Sequence, residues 1–303
     1  MCRRPESLKK LTFKGFSRLT IRINSGAYRF DLNGIQPDVI DVLRLMYGSS
    51  LESNTYGFCD FHLSVKTTSP VRRLFRKQCV IDVEGVTPFN PISTKHIVPS
   101  LEWAMNWAVA AFEHTKLSIH SSVVVKNNKA ILFPASSGSG KSTLATYLGA
   151  KGWQMFSDEM ALIDTQSLNI TPLYRPSSLK NESINVIQRL CPSIILSKSA
   201  LSTHKGDIAH AKLYSTEEFN TFEPTSPDFV TFLRYSPLKQ TTITELTQSE
   251  TFAMLIRNAF NYNILGKIGF DTLTRVVTNT RGYYIEYSDM HDLNDFLSEL
   301  VEQ

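Results

Sequence analysis

The chain has 303 residues, 42% apolar and 20% charged, with a net charge of +4 from 32 basic and 28 acidic side chains. That composition buries a core, excludes a disordered chain as the default, and gives length enough for two domains. The small charge, spread along the chain, makes no demand for a nucleic-acid partner. Four cysteines, Cys2, Cys59, Cys79 and Cys191, show no C-x-x-C pairing and no histidine at zinc-finger spacing, so neither a structural metal nor a disulfide framework is expected. The stretch MCRRPESLKKLTFKG is charged, without an apolar run of signal-peptide length. The most apolar later run, WAMNWAVAAF, falls far short of the ~20 residues of a membrane span. A cytoplasmic protein with no membrane partner is expected.

Leu19, Ile21 and Ile23 alternate with Arg18, Thr20 and Arg22; after NSG, Tyr28, Phe30 and Leu32 alternate again, which predicts a β-hairpin. Residues 38 to 47 read as a helix, and FHLSVK and QCVIDVEG as strands. The basic run Arg72, Arg73, Arg76 and Lys77 reads as a solvated loop or strand end. Leu101, Met105, Ala108 and Phe112 recur at helical spacing behind Pro99, so a helix closes a first α+β region at about residue 115. This gives residues 1–115 as a domain for substrate recognition or assembly, and 116–303 as a second domain.

The second region opens with LSIHSSVVVK, the turn-prone pair Asn127 and Asn128, and KAILFPA, a strand pair that leads into FPASSGSGKSTL. After that loop, STLATYLGAKG predicts a helix ending at Gly152, and WQMFSDEMALID a further strand. LSKSALSTHKGDIAHAKLYS is polar, weakly patterned and suited to a mobile lid; within it Lys205 and His210 are minor site candidates. NTFEPTSPDF is a turn-rich connector, FVTFLRYS a strand, and ETFAMLIRNAFN and DLNDFLSELVEQ are amphipathic helices.

The loop nearly matches G-x-x-x-x-G-K-[ST], with Gly138, Gly140, Lys141 and Ser142 in place and Ala135 at the first glycine. Such glycines turn successive N–H groups toward phosphate oxygens, and the following helix aims its positive end at the same anion. On that reading Ser136, Ser137, Gly138, Ser139, Gly140, Lys141, Ser142 and Thr143 bind a nucleotide, with Lys141 at the outer phosphates and Ser142 at Mg²⁺. Alanine at position 135 matters only if the backbone there needs a positive φ.

Asp158 and Glu159 follow Lys141 by 17 and 18 residues, room for one helix and a return strand. Neighbours in a strand face opposite ways, so one carboxylate can meet Mg²⁺ or an acceptor hydroxyl while the other is held elsewhere, unless the strand has already ended. The Walker B pair of a motor ATPase sits much further from its loop, and a pair of surface carboxylates is the plainer alternative. His120 precedes Ala135 by fifteen residues; by itself it reads as a core or edge histidine.

His120, ASSGSGKS and Asp158-Glu159 together resemble the HPr kinase/phosphorylase family, bacterial serine kinases with a P-loop core akin to phosphoenolpyruvate carboxykinase. RPSSLKNESI, KGDIAHAKLY, FLRYSP, RNAFNYNILGKIGF and the LEWAMNWAVAAFEHTKLSIHSS approach are similar to the group of HPr kinase-related kinases. The resemblance implies an α/β P-loop kinase core preceded by an N-terminal α+β domain, with ATP and Mg²⁺ as ligands. It implies catalytic roles for Asp158, as general base, for Lys141, and for His120, placed near Asp158 to orient it. It implies metal ligation by Ser142 and Glu159, the latter standing where the family has a second aspartate. The family's acidic E-I-R-G-L-G-type signature is missing; Glu182 is the candidate replacement, Lys180 faces the phosphates, and Arg234, with Lys239 near it, supplies transition-state charge. The group accompanies small peptide-binding proteins, which implies a protein or peptide acceptor other than HPr, and HPr kinases are hexamers, which implies a homo-oligomer. The expected activity is transfer of the γ-phosphoryl group of ATP to a serine or other hydroxyl of a protein, peptide or small molecule. The alternative is a nucleotide-gated binding module without turnover.

Overall fold

A computed structural model describes residues 20–53, 55–68, 77–135 and 138–302. Cys2, Leu19, Arg72, Arg73, Arg76, Ser136 and Ser137 lie outside these.

The predicted hairpin forms: Ile21–Asn24 pairs antiparallel with Arg29–Asn33, Ile21 opposite Leu32 and Ile23 opposite Phe30. Its alternation buries Ile21, Ile23, Phe30 and Leu32 on or within the first sheet. That sheet runs Leu51–Glu52, Ile21–Asn24, Arg29–Asn33, Phe61–Thr67, Gln78–Val83, Ile92–Ser93 in spatial order. Arg29–Asn33 and Phe61–Thr67 are parallel, joined through the helix Pro37–Tyr47. The helix predicted behind Pro99 spans Ile97–Phe112, with the proline in its first turn, where the missing N–H costs nothing.

The second sheet has the order Gln154–Ser157, Ser121–Lys126, Lys129–Pro134, Pro227–Tyr235, Arg281–Tyr287, Thr242–Leu246. Lys129–Pro134, the strand that delivers the loop, is central and parallel to Pro227–Tyr235, which is parallel to Arg281–Tyr287. Alternation sends Ile131 and Phe133 into one core with Leu144 and Leu148 of the loop helix Lys141–Ala150 and Leu293 and Leu297 of Met290–Leu300. Ala130 and Leu132 enter the core on the other face with Leu255, Leu273 and Val276. Helices therefore cover both faces of a mixed sheet, an α/β arrangement.

Three readings of the sequence change. WQMFSDEMALID is not one strand: Gln154–Ser157 stays in the large sheet, while Ala161–Asp164 pairs with Lys116–Ile119. Ser157 Oγ accepts the N–H groups of Glu159 and Met160 and so ends the first strand in a turn. The polar lid segment is regular structure: Ala200–Thr203 and Gly206–Lys212 form a hairpin that pairs with Ser177–Lys180. Finally, Met160, Leu162, Leu173, Tyr174 and Phe219, all beyond residue 115, lie in the same core as Phe30, Leu63 and Leu101 of the first region. Among the described residues no helix is long and apolar enough to cross a membrane.

Candidate active site

The buried strand Lys129–Pro134 ends at a loop in which Gly138 has φ +91° and Gly140 φ +89°. Both are left-handed conformations, which cost an L-residue on the order of 1 kcal/mol or more. Gly140 is doubly constrained, since a Cβ there would lie 3.1 Å from Tyr287 Oη. Ala135 is not among the described residues with positive φ, so the alanine at the first position carries no such cost. Ser139 Oγ is buried with no hydrogen-bond partner among the described residues.

Above the loop lies a cavity of about 480 Å³ whose walls include His120, Lys141, Ser142, Glu159, Lys180 and Lys205. Lys141 and Ser142 open the loop helix, and the others come from separate breaks in the chain. His120 sits between two strands, its N–H donating to the Asn258 carbonyl at 2.7 Å and its ring stacked on Phe260 with centroids 5.4 Å apart. Lys180 ends the strand Ser177–Lys180, and Lys205 occupies the tip of the hairpin. The Lys205 ammonium lies 4.6 Å from the centre of the Trp103 ring, which projects from the helix Ile97–Phe112, and His204 meets the same indole edge-on. Three lysines converge here, a field that selects an anion.

At the centre, His120 Nε2 lies 2.5 Å from Lys141 Nζ and 3.3 Å from Glu159 Oε2. Burial lowers the proton affinity of Lys141, against the charges of Glu159 and Asp158, and burial also lowers that of Lys205, with Lys180 adding to it. Burial pushes the Glu159 carboxyl up, but His120, Lys141 and Lys180 outweigh it and hold it well below the usual carboxylate range. Glu159 is therefore held ionised. With Ser142 and Glu182, which line the same cavity, it makes a hard-oxygen donor set of the kind Mg²⁺ takes.

Asp158 faces the other way. Its carboxylate is buried, and Oδ2 accepts the Ser178 N–H at 2.8 Å and the Ser177 hydroxyl at 3.2 Å. Ser177 Oγ is in turn 2.6 Å from Thr146 Oγ1 on the loop helix. Burial, and next the charge of Glu159, raise the Asp158 carboxyl to about 6. The strand has already ended at Ser157, so strand parity does not apply to the pair, and Glu159 is the acid that lines the cavity. His120 is correspondingly placed against Glu159, where the family pattern set it beside Asp158.

Glu182 and Lys180 reach the cavity, as do Thr143, Gly138 and Gly140. Arg234 and Lys239 do not: Arg234 Nη1 is 3.2 Å from Glu286 Oε1 and Lys239 Nζ 3.7 Å from Oε2, both on exposed side chains outside the walls of this cavity. The parallel register that sets Arg234 opposite Glu286 fixes this pairing. His210 is buried beneath the hairpin, its N–H donating to Ser197 Oγ. Ser178 and Ser183 line the site unforeseen: Ser178 is on the strand that pairs with Gly206–Lys212, and Ser183 is in the first turn of the following helix Glu182–Leu190. In the first region Asp31, Cys59 and His62 approach within 4.8 Å of one another, but both oxygens of Asp31 are held by Arg22 at 2.7 and 3.0 Å.

No protein-family model and no curated protein matches the chain. Among solved structures, the Hpr(Ser) kinase/phosphatase from Coxiella burnetii is similar at 14% identity, over 62% of this chain and 95% of that one, with a TM-score of 0.28. Likeness at that level carries no assignment, which must come from the cavity itself.

Proposed function

We propose that the protein is an ATP-dependent phosphotransferase with a P-loop core of the HPr kinase type, moving the γ-phosphoryl group to a hydroxyl of a protein, peptide or small molecule. The observation that carries this reading is the convergence of Lys141, His120 and Glu159 on one cavity between a glycine loop and two further lysines. The residues from Ser136 to Thr143 cradle the phosphates, Lys141 neutralises the outer ones, and Lys180 and Lys205 close the anionic field. Ser142, Glu159 and Glu182 would hold Mg²⁺, which supplies charge neutralisation on the phosphate oxygens when bound.

In the transfer, the acceptor oxygen bonds to the γ-phosphorus, the bond from that phosphorus to the β,γ-bridging oxygen breaks, and ADP departs. The acceptor proton is assigned to Asp158, whose raised affinity suits a base working near neutrality, and this requires its carboxylate to turn from Ser177 and Ser178 toward the cavity. Glu159, held ionised, is too weak a base for that task. Residues 1–115 are assigned to acceptor recognition or to assembly of copies, since Trp103 of that region touches Lys205 at the cavity. The acceptor of choice is a protein or peptide, in the cytoplasm.

A second reading, a nucleotide-gated binding module without turnover, is favoured by one observation: the Asp158 carboxylate is engaged by Ser177 and Ser178 and does not line the cavity. Incubation with γ-labelled ATP and candidate acceptors separates the two. The kinase reading expects label transfer that Asp158→Asn abolishes while Mg·ATP still binds; full transfer in that variant refutes the base, and tight binding with no transfer to any acceptor favours the module.

A further inference from the structure

A second cavity, of about 590 Å³, adjoins the first and shares Gly138, Gly140, Thr143, Glu182 and Ser183 with it. Its character is different. Tyr235 and Tyr287 form one side, with ring centroids 5.6 Å apart in an edge-to-face pair, and Val186, Leu190 and Met290 line it as well. Among the described residues no lysine lines it, and its acidic and basic side chains are Arg189, His291, Asp289 and the shared Glu182. One Asp289 oxygen caps the helix Met290–Leu300 by accepting the N–H groups of His291 and Asp292.

We infer that this second cavity takes the ribose and base of the bound nucleotide, with Tyr235 as the stacking surface and Asp289 as an acceptor for sugar hydroxyls or an exocyclic amine. The inference rests on the phosphate-binding reading of the first cavity and extends it. A nucleotide is a polyanion joined to a flat, stackable ring, and the two cavities divide in that way: three lysines on one side of the loop, and two tyrosines with Val186, Leu190 and Met290 on the other, where Arg189 is the one lysine or arginine among the described lining residues. The volume falls within the range of small-ligand pockets. Thr143, on the loop helix one residue past Ser142, stands where the cavities meet, so a phosphate chain lying across the loop leads its sugar into the aromatic side. Tyr287 Oη beside Gly140 couples the floor of this pocket to the loop.

Calorimetric titrations with Mg·ATP and with Mg·tripolyphosphate test the inference on wild type, Tyr235→Ala, Tyr235→Phe and Leu190→Asn. Tyr235 is 53% and Leu190 40% exposed, so the replacements leave the core intact. Base stacking predicts that wild type binds ATP about ten-fold or more tighter than tripolyphosphate. Tyr235→Ala should remove about ten-fold of ATP affinity, Leu190→Asn several-fold and Tyr235→Phe little, by the same stacking argument. Tripolyphosphate affinity should stay constant throughout and so report that each variant is folded. Equal affinity of wild type for both ligands overturns the nucleoside pocket while leaving the phosphate site standing. ATP affinity unchanged in Tyr235→Ala and Leu190→Asn, or lost in parallel with tripolyphosphate, also overturns it. If wild type binds neither ligand, the nucleotide reading fails first and this inference with it.

Discussion

Lys141 Nζ lies 2.5 Å from His120 Nε2, and that one nitrogen also faces Glu159 Oε2. As acceptor for the ammonium, Nε2 carries no proton; as donor to Glu159 it must carry one. The imidazole cannot serve both, so the arrangement is settled by where the lysine is drawn. A triphosphate that pulls Lys141 toward its own oxygens releases Nε2 to pair with Glu159. His120→Asn is therefore expected to leave Mg·ATP affinity within a few-fold and to slow phosphoryl transfer by about ten- to hundred-fold, the scale of a displaced proton-handling group. Lys141→Met should instead cost ATP affinity, about ten- to hundred-fold for a lost charge-assisted contact. Separate measurement of binding by calorimetry and of single-turnover transfer checks the contrast; a His120 variant that fails to bind nucleotide contradicts it.

The acid pair makes opposite contributions to stability. Asp158 has its folded-state affinity raised to about 6 from an ordinary 3.8, by burial and then by Glu159. Its contribution is present while the group is protonated and is lost as pH rises through 3.8 to about 6. Above that window the wild type carries an ionisation cost on the order of 2–3 kcal/mol, which Asn removes. Asp158→Asn should thus raise the melting temperature at pH 7.5 and have little effect near pH 4. Glu159, with its affinity depressed, behaves in reverse, so Glu159→Gln should destabilise the protein at pH 7.5. Thermal unfolding of both variants across pH measures the signs.

Gly140 and Gly138 are expected to differ although their φ angles match. An alanine at 138 meets nothing within 4 Å and bears the backbone strain alone, whereas one at 140 also crowds Tyr287 Oη. Gly138→Ala should cost about 1 kcal/mol in urea unfolding and Gly140→Ala noticeably more. Ala135→Gly, at a position without positive φ, should change ATP affinity by no more than about two-fold.

Trp103 and Lys205 are predicted to act as a unit. Lys205→Ala and Trp103→Leu should each weaken Mg·ATP binding several-fold, and the double variant should be little worse than either, because a cation–π contact of about 0.5–2 kcal/mol is lost only once. Additive losses in the calorimetric cycle would mean that the indole does not position the lysine.

Much of the fold was legible because its signals are local. Ile21, Ile23, Phe30 and Leu32 announce their sheet by alternation, and the glycines before Lys141 announce a loop with the left-handed φ angles they permit. What failed to show were features decided across the chain. The strand after the loop breaks at Ser157 through side-chain hydrogen bonds that no periodicity encodes. The hairpin around Lys205 looked patternless, since its solvent face is polar and Ala200–Thr203 is mostly exposed. Which acid of the pair looks into the cavity turned on that same break, and Arg234 was drawn away by a strand 52 residues later. The cation that does reach the site, Lys205, is fixed by an indole more than a hundred positions upstream.

Met160 and Leu162, immediately after the acidic turn, are rooted among side chains from the opening third of the molecule. A fragment starting at residue 116 would carry those two, with Leu173, Tyr174 and Phe219, bare into water. The half that carries the glycine loop cannot then be harvested by simple truncation: it should aggregate or be digested unless its upstream companion is supplied.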